Sequence, residues 1–339
     1  MPLSSLKRLM LGAAVAAATV VSMPAQAGYH GLVIFGDSLS DSGNNYIALG
    51  PATAPYPPIT PNAAIADNGF IPSLPYLGAP IPAYSNGPVW ATSFAASLGL
   101  APFAAPSLLG GGNFAFGGAV SGGSAGFPFS LTDQLGQYLG ATGGMAQADY
   151  LYVVVGGGND ARAALSAIHA DPGNAAAIIA ATSAQYAYNI GSIVDGLQTA
   201  GAKSIVVWNT PNLGATPALL AQGAGASALA TSIAGVMNDA LGSRLAGEAG
   251  VDTFDLFGAV TDIIAKPGAY GLSNVVDACI LGACNAAEYL FWDGIHPSAR
   301  GHQILAGVLL AQVVPEPQTW LLLALGLAAL AWCSRKRAS

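Results

Sequence analysis

Short runs of consecutive apolar residues alternate along this chain with longer segments rich in alanine. The apolar runs have the length of strands and predict buried strands at residues 31–36, 150–156, 204–208 and 252–256. The alanine-rich segments predict helices at residues 89–98, 131–138, 161–170, 174–199 and 219–246, and from Pro297 to about residue 310. Because strands separated by long helices form βαβ units, the pattern predicts one α/β domain with a parallel sheet covered on both faces.

The region at residues 51–88 interrupts this alternation. It is dense in proline and carries Tyr56, Phe70, Tyr76 and Tyr84 without a clear periodicity. A connection of this length is typically a functional loop or a disordered segment. We expect it to line the substrate cleft; a flexible, chemically idle insertion is the alternative.

Residues 1–27 have the layout of a secretory signal peptide. Lys7 and Arg8 precede an apolar stretch at residues 9–21, and small residues at 25–27 offer a cleavage site. We therefore expect cleavage after Ala27 and a domain at residues 28–313. An uncleaved anchor is the alternative.

Residues 314–339 contain three parts in a fixed order: Pro-Glu-Pro at 315–317, an apolar helix at 320–333, and a basic tripeptide at 335–337. The apolar run is shorter than the roughly 20 residues that span a bilayer. This order resembles the PEP-CTERM sorting signal. The resemblance implies transient membrane anchoring through the short helix, processing by an exosortase, and a final place at the cell surface or in the extracellular matrix of a Gram-negative-type bacterium. A plain tail anchor is the alternative.

The composition argues against one class of partner. Only 8% of residues are charged, and the whole chain carries a net charge of −7. Half of the Lys and Arg residues lie in the two terminal segments, whereas Glu316 is the only acidic residue there, so the domain itself is more acidic. Nucleic acid binding depends on Lys and Arg contacts with phosphates, so no nucleic acid partner is expected.

Two of the three cysteines lie in the domain. Cys279 and Cys284 stand five positions apart in a loop-like stretch, whereas Cys333 leaves with the tail. In an exported protein such a pair favours a disulfide over a metal site. Two thiols without nearby histidines make a poor zinc site, and no metal is expected.

Candidate chemistry begins directly after the first predicted strand. Gly-Asp-Ser-Leu-Ser at residues 36–40 puts Ser38 at the carboxyl edge of the strand, where an open α/β sheet places its ligand. We expect a turn entering a helix there, whose backbone N–H groups can hold an anion. Far downstream, Asp293 and His296 stand three residues apart. Together these residues suggest an esterase.

Two glycine-rich segments are alternatives to this site. Residues 122–126 match the nucleophile elbow of α/β-hydrolases, but neither a strand before nor a helix after Ser124 is predicted. Residues 156–161 follow a strand and open a helix, as a dinucleotide fingerprint does. The acidic residue expected about 20 positions later, near the end of a second strand, is missing.

Four segments in order resemble the blocks of the GDSL/SGNH hydrolase family: residues 36–40, 112–119, 157–160 and 293–296. Residues 84–90 also look like a segment that many members carry before the first domain helix. The resemblance implies a three-layer α/β/α sandwich with a flavodoxin-like parallel sheet. It also implies Ser38 as nucleophile, His296 as base and Asp293 as its orienting partner.

The same resemblance implies an oxyanion hole with three donors. They are the N–H of Ser38, the N–H of Gly118 and the side-chain amide of Asn159, with Gly117 as an alternative to Gly118. The residue types suit the chemistry, because a serine hydroxyl needs an adjacent base and the developing oxyanion needs preformed donors. Histidine is the side chain whose ordinary pKa lies near neutrality.

These observations predict an exported serine esterase or lipase that hydrolyses carboxylic esters through an acyl-Ser38 intermediate, without metal or cofactor. The expected partners are an ester substrate (a lipid, a short-chain ester or an acetylated glycan), with signal peptidase and exosortase as processing enzymes. An acyltransferase or a polysaccharide O-acetyl esterase with the same triad is an alternative. A catalytically idle surface or matrix protein is another.

Overall fold

Alternating strands and helices build the domain in the order that the apolar pattern predicts. The computed structural model describes residues 28–49, 59–61, 68–72, 75–76, 82–123, 126–314 and 326. Residues 28–310 form one unit, and the other unit, residues 1–27 and 311–339, falls almost entirely outside the described residues. The predicted signal peptide, much of the proline-rich region and Ser124 also lie outside them.

The strands and helices have the following bounds. The strands are β1 (Gly31–Gly36), β2 (Ile59–Pro61), β3 (Asn68–Pro72), β4 (Tyr150–Val155), β5 (Ser204–Trp208), β6 (Val251–Phe254), β7 (Asn274–Ala278) and β8 (Tyr289–Phe291). The helices are α1 (Asn44–Leu49), α2 (Trp90–Ser97), α3 (Leu131–Ala141), α4 (Gly158–Ala170), α5 (Ala175–Ala200), α6 (Pro217–Leu220), α7 (Ala224–Leu245), α8 (Leu256–Ala265) and α9 (Ala299–Val313).

The main sheet is parallel, with strand order β1-β4-β5-β6. β1 and β4 pair in register from Gly31 opposite Tyr150 to Gly36 opposite Val155. Every residue of β1 is buried, as expected of a strand covered on both faces. The predicted α/β class with a covered parallel sheet is confirmed.

A further segment extends this sheet beyond β1. The N–H of Ile34 donates to the carbonyl of Gly112 (2.9 Å), and the N–H groups of Phe114 and Phe116 donate back to Ile34 (2.7 Å) and Gly36 (3.1 Å). Residues 112–116 therefore run parallel to β1 as an edge strand, which the apolar pattern missed. If the strands of this sheet are numbered in chain order, β1 is strand 1, the segment at 112–116 is strand 2, and β4, β5 and β6 are strands 3, 4 and 5. The strand order across the sheet is then 2-1-3-4-5, as in a flavodoxin-like sheet.

The two faces of the sheet pack against different helices. On one face Phe35, Val154 and Val207 join a core with apolar residues of α3, α4, α5 and α7. On the other, the Trp208 ring lies 4.5 Å from the ring of Trp90 in α2. Successive strand residues point to opposite faces, so one apolar run supplies both layers.

Two predicted elements differ from the structure. The single helix expected at 219–246 is two helices, α6 and α7, because the chain turns at Gly223 with φ +95°. Such a positive φ favours glycine and cannot continue a helix. The strand expected at 252–256 ends at Phe254, because the Asp255 carboxylate caps a missed helix, α8, by accepting the Gly258 N–H at 2.9 Å.

Two small sheets stand apart from the main one. β2 and β3 form an antiparallel pair within the proline-rich region. β7 and β8 form a parallel pair, and a disulfide joins Cys279 to Cys284 in the connection between them. This pair leads directly into the segment that carries Asp293 and His296.

None of the helices in the described part of the chain is both long and apolar enough to cross a membrane. The apolar run at 320–333 lies outside that part except for residue 326, so its proposed anchoring role has no structural support.

Candidate active site

Ser38 lies in a tight turn at the carboxyl end of β1. The Asp37 carbonyl accepts the N–H groups of Ser40 (3.0 Å) and Asp41 (2.9 Å), and the Asp37 carboxylate accepts the N–H of Leu39 (3.0 Å). The chain then enters helix α1, which begins at Asn44. The Asp41 carboxylate accepts the N–H groups of Gly43 and Asn44 and so holds the turn before that helix.

His296 reaches Ser38 from the other end of the domain. Its Nε2 lies 2.8 Å from the Ser38 Oγ, across a sequence separation of 258 residues. Its Nδ1 lies 2.7 Å from Asp293 Oδ2. The structure thus brings Ser38, His296 and Asp293 into one continuous hydrogen-bonded chain.

A turn fixes the Asp293 carboxylate beside the imidazole. Its Oδ1 accepts the backbone N–H groups of Ile295 (2.9 Å) and His296 (2.8 Å), which leaves Oδ2 for the ring. Both side chains are almost fully buried. With Asp293 as acceptor, Nδ1 carries the proton and Nε2 is the free base that faces Ser38.

Three N–H groups remain as candidate donors to an oxyanion. Within the described residues, neither the Ser38 N–H nor the Gly118 N–H has a hydrogen-bond acceptor. The Gly117 N–H instead donates to Asp41 Oδ2 at 2.9 Å, which favours Gly118 over Gly117. Gly118 has φ +84°, a conformation that exposes its N–H at little cost only in glycine.

Asn159 lines the same cleft as Ser38 and His296. Its amide nitrogen donates one of its two hydrogens to the carbonyl of Ala119 at 2.8 Å. Ala119 directly follows Gly118 in the chain, so this bond holds the Asn159 side chain at the glycine segment. Its Oδ1 accepts Nη1 of Arg162 at 3.2 Å. The second amide hydrogen is left to donate to a ligand.

The cleft encloses about 610 Å³, including its open mouth. Apart from Asp37, Ser38, Asn159, Arg162 and His296, much of its wall is apolar. The apolar side chains include Leu39, Leu213, Leu256, Val260, Phe291, Ile295 and Leu305. None of the described lining residues comes from region 51–88, so the expectation that this region lines the cleft finds no support among them.

Two tyrosines of region 51–88 instead lie behind the triad. The Tyr76 hydroxyl donates to Asp293 Oδ2 at 3.0 Å. The Tyr84 ring lies 5.4 Å from the His296 ring, and its hydroxyl accepts Nδ2 of Asn45 at 2.7 Å. Neither contact follows from the sequence pattern, in which Tyr76 stood out only as an aromatic in a proline-rich stretch and Tyr84 also as the first residue of the segment at 84–90.

Asp41 joins the Ser38 turn to the glycine segment. Its Oδ1 accepts the N–H groups of Gly43 (2.8 Å) and Asn44 (2.7 Å). Its Oδ2 accepts those of Asn45 (3.2 Å) and Gly117 (2.9 Å). Burial raises the pKa of Asp41 to about 6, with these N–H donors acting in the opposite direction.

Two further buried carboxylates lie near the cleft. Burial raises the pKa of Asp37 to about 6, against the opposing effect of its N–H donor Leu39. Asp160 accepts the Ser121 hydroxyl (2.6 Å) and N–H (3.0 Å), and burial raises its pKa as well. Asp160 therefore braces the segment after Gly118, while Asp293 is the carboxylate that contacts His296.

Comparison with known proteins identifies the family of this chain. The sequence pattern of the GDSL-like lipase/acylhydrolase family matches residues 32–309. The chain belongs to this family. The PEP-CTERM protein-sorting motif matches residues 313–336, so both resemblances predicted from short motifs are confirmed.

Two curated proteins are similar in sequence to this GDSL-family chain. It is 28% identical over 325 residues to an uncharacterized protein in the trpE-trpG intergenic region of Pseudomonas putida, with 87% of this chain and 50% of that protein covered. It is 29% identical over 146 residues to a GDSL esterase/lipase of Arabidopsis thaliana, with 35% and 40% covered. The chain spans about half the length, or less, of these relatives.

Two solved structures share only a loose likeness with this GDSL-family chain. LAE5, an alpha/beta hydrolase enzyme from the metagenome of Lake Arreo, Spain, has 16% identity and a TM-score of 0.42, with 85% of this chain and 95% of that chain covered. Phospholipase A1 from Streptomyces albidoflavus NA297 has 15% identity and a TM-score of 0.41, with 84% and 99% covered. A likeness at this level carries no functional conclusion.

The position of Asp41 predicts a structural defect on substitution. In Asp41→Asn, an amide replaces an acceptor oxygen and leaves buried N–H groups without partners, so the free energy of unfolding at pH 8 should fall by about 3 kcal/mol. Urea unfolding measures this change. The control is Asp195→Asn, which removes an exposed ion pair with Arg244 and should cost less than about 1 kcal/mol. Equal stability of the two variants would contradict this role of Asp41.

Proposed function

We propose that this chain is an exported serine hydrolase that cleaves carboxylic esters through an acyl-Ser38 intermediate. The single observation that carries the proposal is the continuous chain of hydrogen bonds from Ser38 Oγ through His296 to Asp293. Membership of the GDSL-like lipase/acylhydrolase family supports it. The PEP-CTERM motif supports export and processing by an exosortase.

The proposed reaction has two halves. His296 Nε2 takes the Ser38 hydroxyl proton while Oγ forms a bond to the ester carbonyl carbon, and Asp293 stabilises the imidazolium. The tetrahedral intermediate then breaks its bond to the leaving oxygen, and His296 returns the proton to the alcohol. In the second half, water attacks the acyl-Ser38 carbonyl by the same proton transfers and releases the acid.

The oxyanion of each tetrahedral intermediate needs donors that are already in place. The N–H groups of Ser38 and Gly118 and the second amide hydrogen of Asn159 are available for it. Loss of one such donor typically costs 10²- to 10³-fold in turnover. In this scheme Arg162 holds the Asn159 amide by its oxygen, so that its nitrogen stays directed toward the glycine segment.

The intact site argues against a catalytically idle matrix protein. A binding module has no use for a buried Asp–His pair aligned on a serine together with unpartnered N–H groups beside it. An acyltransferase uses the same groups, and added alcohol or sugar acceptors would reveal transfer products.

Substitution of the proposed nucleophile tests the function directly. Ser38→Ala should lower kcat for an aryl ester such as p-nitrophenyl butyrate by at least about 10⁴-fold, because no acyl-enzyme can form. Ser42→Ala is the matched control, since its hydroxyl bonds the Ala104 carbonyl and not His296, and it should lose less than about tenfold. Negligible hydrolysis by the wild-type protein and both variants would favour the idle surface protein.

The apolar wall of the cleft predicts selectivity for the acyl group. Val260 is nearly buried in this wall beside Leu256, and Val260→Trp should fill space that a long acyl chain occupies. We expect the ratio of kcat/KM for octanoyl over acetyl esters to fall about tenfold or more. Val236→Trp, at an exposed position of α7, should leave the ratio unchanged. An unchanged ratio in Val260→Trp would remove this wall from the acyl site.

A further inference from the structure

Tyr76 is a buried tyrosine whose hydroxyl points at the acid of the triad. Its side chain is 2% exposed, and its hydroxyl donates to Asp293 Oδ2 at 3.0 Å across 217 residues of sequence. The same oxygen lies 2.7 Å from His296 Nδ1. One carboxylate oxygen therefore receives both the imidazole and the phenol.

We propose that Tyr76 is a positioning residue for the triad, which fixes the Asp293 carboxylate and sets how strongly it stabilises protonated His296. The inference rests on the proposed function of Ser38 and His296. Tyr76 is not among the residues that line the cleft, so it acts through Asp293 and not on the substrate.

The origin of the donors to Asp293 supports this role. Oδ1 accepts two N–H groups from the turn that Asp293 itself begins, those of Ile295 and His296. The imidazole that bonds Oδ2 also belongs to this turn. Within the described part of the chain, Tyr76 is the one residue of a distant segment that donates to the Asp293 carboxylate, and so it ties the turn to the rest of the domain.

Tyr76 is itself held in place. Its N–H donates to the Ala83 carbonyl at 2.8 Å, and its ring lies edge-on to Trp292 with centroids 6.0 Å apart. Burial, and then the nearby Asp293 charge, raise the pKa of the Tyr76 phenol. The phenol therefore remains protonated at every working pH and can only donate to the carboxylate.

The hydrogen bond should weaken the effect of Asp293 on His296. A donor on Oδ2 takes up part of the carboxylate charge, and less of that charge is left to stabilise the imidazolium. Removal of the phenol hydroxyl should therefore favour the protonated ring. In the profile of activity against pH, protonation of His296 causes the loss of activity on the acid side. The midpoint of that loss should therefore move to higher pH.

The other groups facing His296 do not cancel this effect. Besides Asp293, these are Asp37, the Ser38 hydroxyl, the Tyr84 ring and His302. Burial lowers the pKa of His302 to about 3, so it stays neutral, and Asp37 titrates near pH 6. All four are present both in the wild-type protein and in a Tyr76 variant, so the difference between the two isolates the phenol hydroxyl.

The test is Tyr76→Phe in the full exported chain. We expect kcat for p-nitrophenyl butyrate to fall on the order of tenfold with KM unchanged, because the carboxylate that is no longer fixed holds the imidazole less precisely against Ser38. The acid midpoint should rise by roughly half a pH unit, because the full carboxylate charge then acts on the ring. Tyr138→Phe is the matched control, because it removes a buried hydroxyl that bonds Tyr152 away from the site. It should leave both the midpoint and kcat unchanged.

Titration of the His296 ring by NMR gives a second readout that does not need turnover. The ring signal is assigned by its loss in His296→Asn. Its titration midpoint should rise in Tyr76→Phe, and it should fall when a fluorinated tyrosine, a stronger donor with the same ring, replaces Tyr76. The fluorinated variant keeps the test decisive if Tyr76→Phe does not fold.

Unchanged midpoints in both variants, or the same shift in Tyr138→Phe, would overturn the role of Tyr76 while leaving the esterase proposal intact. If the wild-type protein hydrolyses no ester, the proposed function fails, and the NMR midpoints still decide whether Tyr76 tunes His296.

Discussion

One hydrogen bond joins the two ends of this domain. The 2.8 Å contact between Ser38 Oγ and His296 Nε2 forms only if β1 and the segment after β8 meet at one edge of the fold. The carboxyl ends of parallel strands share an edge, so the turn after β1 opens into the cleft to which Asn159, just after β4, also belongs. The chemistry proposed for the chain depends on this meeting.

Hydrogen bonds from polar side chains hold the Ser38 turn at that edge of the fold. Asp41 accepts four backbone N–H groups and connects the turn to Gly117, while Asn113 donates to the Ser40 carbonyl at 2.7 Å. Gly118 follows Gly117 directly, and so its free N–H is positioned by bonds made one residue earlier. Buried carboxylates and amides are costly unless they are fully paired. Here their pairing determines where an oxyanion would be held.

The sequence predicted the sheet well because its strands are continuous apolar runs. β1 and β5 have the predicted bounds, and the side chains of Ser38, His296 and Asp293 form one hydrogen-bonded chain. The edge segment at 112–116 was missed because glycine and asparagine interrupt its apolar pattern. Tyr76 could not be assigned because its contact with Asp293 spans 217 residues and depends on a fold that no local pattern encodes.

The most direct test of the account is covalent trapping of the nucleophile. A fluorophosphonate with an alkyl chain should form one adduct per protein at neutral pH, and peptide mass spectrometry should place it on Ser38. An ester substrate converts Ser38 to the acyl-enzyme, in which its Oγ is no longer free. Protein that is held as the acyl-enzyme should therefore not form the adduct. Labelling of another serine, or no labelling of folded protein, would contradict the claim that His296 and Asp293 activate Ser38.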